Sequence, residues 1–167
     1  MSYLLRAVHD RIYWDRDLFP KWVGPDDLPS CIVGDLQAEG NTLSVWEILD
    51  NEANLSQVIT AIASRHPGSR AYFDYALLKL DFINDVNFSL SKEDGKTPYG
   101  DANLYHRNLS NVSLQKVVYF AHLLCKNGDF RRAPWKEVKK SILDAHTKGK
   151  LDLSRVRDGL KKELGLA

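Results

Sequence analysis

The segment Cys31-Ile-Val-Gly-Asp-Leu-Gln37, followed by Ala38-Glu39-Gly40-Asn41 and then Thr42-Leu-Ser-Val-Trp-Glu-Ile48, decides how the chain is read. Two β-prone runs flank a Gly-Asn turn, and that arrangement predicts a hairpin. In the second run Leu43, Val45, Trp46 and Ile48 favour a strand with one buried face. Working outward, Tyr3 to Trp14 alternates loosely and reads as an earlier strand, while Asp15 to Pro29 (DRDLFPKWVGPDDLP) reads as a loop. Downstream, Asn54 stands as the N-cap of a helix whose Leu55, Val58, Ile59 and Ile62 fall at i, i+3, i+4 and i+7. Pro67-Gly68 stops it. The run from Ala71 (AYFDYALLKLDF) predicts a strand to about Leu78 that turns helical between Asp81 and Val86. A small sheet with a helix on one face follows, which is the α+β arrangement.

The remainder reads as helical. Residues 89–101 (SLSKEDGKTPYGD) form a polar surface loop between a sheet region, 1–88, and a helical region, 102–167, the two packed as a single domain. Ser110 or Asn111 caps a helix with Leu114, Val117, Val118, Ala121, Leu124 and Cys125 in one stripe, ended by Asn127-Gly128. Pro134 opens the next helix, carried by Trp135, Val138, Ile142 and Ala145. A last helix starts near Asp152 or Ser154, turns Leu153, Val156, Leu160 and Leu164 inward, and ends at Gly165. The stretch Leu114-Gln-Lys-Val-Val-Tyr-Phe-Ala121 resembles the opening helix of Panacea-type antitoxin domains. Over these eight residues the resemblance implies a helix, and no activity is carried over from it.

Composition sets the outer bounds. A chain of 167 residues buries about two thirds of its unfolded surface and folds without disulfide or metal. Cys31 and Cys125, each in an apolar run, read as small core residues of a reducing compartment. Arg6, His9, Asp10 and Arg11 interrupt any signal-peptide core, and no apolar run is long enough for a membrane span, so the expectation is cytoplasmic. Charge is uneven. The last 42 residues hold 12 Lys/Arg against 6 Asp/Glu, whereas the first 125 hold 11 against 16. The protein therefore reads as an acidic body with a basic helical end.

Three groups of residues are candidates for function. Asn103, His106 and Arg107 would share a face if 101–108 were helical, and a His beside a cation suits acid–base or phosphoryl chemistry, as in a metal-independent nuclease. Arg131, Arg132, Lys136, Lys139 and Lys140 could meet nucleic acid, an acidic protein, or the chain's own acidic body. Trp14, Phe19 and Trp22 either pack over the sheet edge or form a protein-binding patch. No metal or cofactor is expected. Asp81/Asp85 at i and i+4 is a weak carboxylate pair, Asp94-Gly95-Lys96 lacks the strand a nuclease signature needs, and the histidines and cysteines have no zinc spacing. The leading expectation is a cytosolic, bacterial interaction protein without catalysis, of the antitoxin, immunity or defence-accessory kind. The alternatives are a nucleic-acid-processing enzyme using His106 and Arg107, and a nucleic-acid-binding regulator using residues 131–162. An exposed sheet edge could also pair two copies of the chain.

Overall fold

Leu4 and Leu5 are neighbours on one strand and point to opposite faces, yet both are buried. Both faces of the sheet must therefore be covered. The computed structural model describes residues 2–19, 27–37, 40–68, 70–84 and 88–166. Its strands are β1 (Tyr3–Val8), β2 (Leu43–Ile48), β3 (Tyr72–Lys79), β4 (Ser89–Lys92), β5 (His106–Ser110) and β6 (Asp129–Pro134). They form one six-stranded sheet in the order β4-β5-β2-β1-β3-β6, with every adjacent pair antiparallel.

Helices fill both faces. On one side α2 (Leu55–Ala63), α5 (Trp135–Thr147) and α6 (Asp158–Leu164) enclose Leu5, Trp46, Ile48, Phe73, Tyr75 and Leu77. On the other, α1 (Ser30–Asp35) and α4 (Leu114–Asn127) pack on Leu4, Val8, Leu43, Val45, Ala76 and Leu78. The short helix α3 (Asp81–Asn84) adds Ile83 to that second core. Covered on both sides, β3 is buried continuously from Phe73 to Leu78, so apart from Asp74 its sequence reads as an apolar run with no alternation. The predicted helix stops hold. The chain leaves α2 before Pro67-Gly68, and α6 ends at Gly165, whose φ of 69° suits a residue without a Cβ.

Several expectations are corrected. The run from Cys31 is helix α1 and not a strand, because Ile32 and Leu36, one helical turn apart, are the residues that reach the core. The Gly-Asn turn exists, with Gly40 and Asn41 at φ 57° and 58°, but it leads from a helix into β2, whose partners are β1 and β5. The N-terminal strand ends at Val8, and Arg11–Trp14 forms a 3₁₀ turn. The C-terminal half is not a helical block added to a small sheet. β4 lies inside the expected loop, and β5 and β6 extend the sheet on its two sides. The α4 cap also shifts to Ser113, whose hydroxyl accepts from the Lys116 N–H at 3.3 Å.

Candidate functional site

Asn103, His106 and Arg107 do not share a helical face. Gly100–Tyr105 is a 3₁₀ turn and β5 begins at His106, so His106 and Arg107 project to opposite faces of the sheet. Asn103 is buried and engaged with Thr97. Its Oδ1 accepts from the Thr97 N–H at 3.0 Å and from Oγ1 at 2.7 Å, and its Nδ2 donates to the Thr97 carbonyl at 3.2 Å. Arg107 pairs with Glu47 and donates to the carbonyls of Leu104 and His106. His106 is placed differently. Its ring stands edge-on to Trp46, and its Nδ1 lies 2.9 Å from the Glu93 carbonyl. A carbonyl only accepts, so Nδ1 carries a proton and Nε2 is left for another partner.

His106 lines a cleft of about 470 Å³ together with Arg6, Ser44, Arg65, Lys96 and Asn108. The cleft opens because β1 and β2 pair only over Tyr3–Leu5 and then part. Arg6 bridges the gap: Nη1 donates to the Ser44 carbonyl at 2.7 Å, while Nε and Nη2 donate to the Asp35 carbonyl at 3.2 and 2.6 Å. Burial pulls the Arg6 pKa down, against the attraction of the Asp35 carboxylate. The rim is not purely cationic, since Glu93 and Asp94 line it as well. Gly95 closes the cleft wall. A Cβ there would sit 2.7 Å from Asn103 Oδ1 and 2.9 Å from the Trp46 ring. Positioned donors of this kind suit an anion. Spacing could suggest His106, but nothing in the Leu-Leu-Arg-Ala-Val run separates Arg6 from any strand arginine, because its role comes from how far β2 diverges.

The basic residues lie on two elements. Arg131 and Arg132 are on β6, where Arg131 reaches Glu52 at 2.8 Å and Asp129 at 2.7 Å. Arg132 grips Asp74 through both carboxylate oxygens, at 2.7 and 2.6 Å, and Asp10 at 3.0 Å. These side-chain hydrogen bonds to carboxylates hold both guanidinium pKa values above their ordinary range. On α5, Lys139 pairs with Glu163 at 3.2 Å, whereas Lys136 and Lys140 are exposed.

The aromatic loop divides. Trp14 is 2% exposed, packs on Phe130 with ring centroids 5.4 Å apart, and donates Nε1–H to Asp35 at 2.9 Å. Phe19 is partly buried on the same core, and Trp22 lies outside the described residues. The residues that face solvent are Ile12 and Tyr13, just before Trp14, 48% and 45% exposed. A cavity of about 500 Å³ adjoins them, lined by Arg11, Ile12, Trp14, Arg16, Cys125 and Phe130. Arg16 approaches His122 of α4 at 2.6 Å, and Tyr119, one turn earlier on α4, is 48% exposed. Periodicity missed Ile12 and Tyr13 because a 3₁₀ turn of four residues is too short to show a face.

Other candidates separate in the fold. Cys31 is exposed, not core, because α1 turns Ile32 and Leu36 inward; Cys125 is half-buried, and both thiols are free. Burial raises the Cys125 pKa. Asp85 of the Asp81/Asp85 pair lies outside the described residues. Among the described residues no three His, Cys, Asp or Glu side chains gather as a metal would require, and no helix is long and apolar enough to cross a membrane. Comparison with protein-family models, curated proteins and solved structures finds no match.

Proposed function

We propose that this chain is a recognition protein that binds another protein through the face formed by the Arg11–Trp14 turn and α4. One observation carries the reading. Ile12 stands half-exposed on the wall of a cavity of about 500 Å³ whose lining includes Trp14 and Phe130, and its chain neighbour Tyr13 is half-exposed beside it. A cavity with aromatic walls accepts an anchoring side chain, and Tyr and Arg are the residue types that dominate binding energy around such anchors. Arg11 and Arg16 supply that surround, Asp15 and Asp17 on the cavity wall give it both signs of charge, and α4 adds the exposed Tyr119 one turn before His122. The partner therefore carries an apolar anchor with a mixed polar rim, as proteins of the antitoxin, immunity or accessory kind present to one another.

The test is comparative affinity capture. Wild-type protein and a Tyr13→Asp variant are used as bait in lysate of the source cell, and recovered proteins are quantified by mass spectrometry. Tyr13 is exposed, so the variant keeps the fold. A protein recovered in stoichiometric amount by wild type and depleted by about tenfold or more with the variant agrees with the proposal. Equal recovery by both baits, or no stoichiometric protein with either, contradicts it.

A further inference from the structure

We propose that the cleft between the parted ends of β1 and β2 binds a phosphate monoester of nucleotide size. The cavity shares no lining residue with the face described above, so the two sites are separate. Three cations line it, and Arg6, Arg65 and Lys96 make no ion pair among the described residues. By contrast, Arg107, Arg131, Arg132, Lys139, Lys150 and Lys161 each hold a carboxylate. Arg6 matters most. It is partly buried, its acceptors are the carbonyl oxygens of Ser44 and Asp35, and the remaining N–H groups of Nη1 and Nη2 are left to donate. A partly buried guanidinium held by neutral acceptors gains most from an anion, and a phosphate matches its planar fork.

The rest of the cleft narrows the ligand. His106, anchored at Nδ1, offers Nε2. Glu93 and Asp94 on the rim disfavour a polyphosphate and can accept hydrogen bonds from sugar hydroxyls. An adjoining cavity of about 200 Å³ shares Arg6, Ser44 and Arg65 and is walled by Ala7, Trp46 and Ile62, which gives a flat ring an apolar place beside the phosphate. One monoester with hydroxyls and a ring satisfies all three features. A free mononucleotide and the terminal phosphate of a nucleic-acid strand share that chemistry.

Titration calorimetry on the intact chain tests this. The ligands are adenosine and uridine monophosphates, the matching nucleosides, inorganic phosphate, and a short oligonucleotide with and without a 5′-phosphate. A monophosphate or the phosphorylated oligonucleotide should bind about tenfold or more tightly than its unphosphorylated form and than inorganic phosphate. Arg65→Ala and Lys96→Ala, both at exposed side chains, should each weaken that binding by about fivefold while leaving Tm unchanged. Tighter binding of the phosphorylated oligonucleotide than of either mononucleotide assigns the source to nucleic acid, and the reverse order assigns it to free nucleotide. No heat with any of these ligands at millimolar concentration overturns the proposal. So does inorganic phosphate binding as well as the nucleotides, or an affinity unchanged in both variants.

Discussion

His66 sits edge-on to Trp135, and its Nδ1 is buried with no hydrogen-bond partner among the described residues. Burial, reinforced by the positive charges of Arg70, Arg157 and His9, lowers its pKa from 6.5 to about 4. Between those values the unfolded chain binds a proton at this position that the folded chain refuses. Unfolding free energy therefore falls as pH drops from 6.5 towards about 4 and owes nothing to this group above 6.5. His66→Phe keeps a ring against Trp135 and removes the titration. Denaturant melts across that window should show the variant gaining on wild type as pH falls, with the difference constant above the window. Gly95 gives a second prediction. Because an added Cβ would press Asn103 and Trp46, Gly95→Ala should cost about 1–3 kcal/mol in chemical denaturation. At this scale the candidate site was half legible. His106 stands out by residue type, whereas Arg6 becomes special only where β2 moves away from β1, and the partners Asn103 and Arg107 were lost when a 3₁₀ turn and a strand replaced the expected helix.

Elements with a long apolar pattern were readable: β2, β3, α2, α4 and α5 lie where their periodicity places them, whereas α6 begins only at Asp158, because Leu153–Arg155 is a separate 3₁₀ turn and Val156 is extended. The short polar strands were not. β4 is Ser-Leu-Ser-Lys, β5 is His-Arg-Asn-Leu-Ser and β6 is Asp-Phe-Arg-Arg-Ala-Pro, and each is defined by a neighbour distant in sequence and not by alternation of its own. Such strands need other ties. For β6 the tie is charge, since Arg132 lies directly across from Asp74 in the β3 register and grips it there. Burial alone would raise the Asp74 pKa, but the Arg132 hydrogen bonds and the Arg11 N–H bring it below the ordinary value. A double-mutant cycle with Asp74→Asn and Arg132→Met should therefore return a clear favourable coupling. The same cycle on the exposed Lys150–Asp101 pair should return none beyond error. Equal couplings would mean that β6 is not held this way. The tight approach of α6 makes a parallel case. A Cβ at Gly159 would collide with the Pro67 carbonyl, so Gly159→Ala should destabilise the α6 docking by about 1–3 kcal/mol, read as a lowered Tm.

Across the whole molecule the uneven charge of the sequence is met in part by pairs between its two ends. Arg131, Arg132 and Lys150 of the basic end reach Glu52, Asp10, Asp74 and Asp101 of the acidic body. Charge asymmetry along a chain says little about the surface when the sheet brings its two halves side by side, as β3 and β6 do here. Besides the exposed lysines of α5, two local features face outward: the exposed Tyr13 and Tyr119, and the cation-lined cleft at His106. The central claim is that recognition runs through the aromatic face and not through the field of the basic end. Salt separates the two most directly. The complex recovered with wild-type protein is titrated at about 50 and about 200 mM salt, a range over which several lysine–phosphate contacts would cost about a thousandfold in affinity. The account predicts a change of about threefold or less, as befits apolar anchoring. A loss near the thousandfold figure would place the interaction on the basic residues and contradict it.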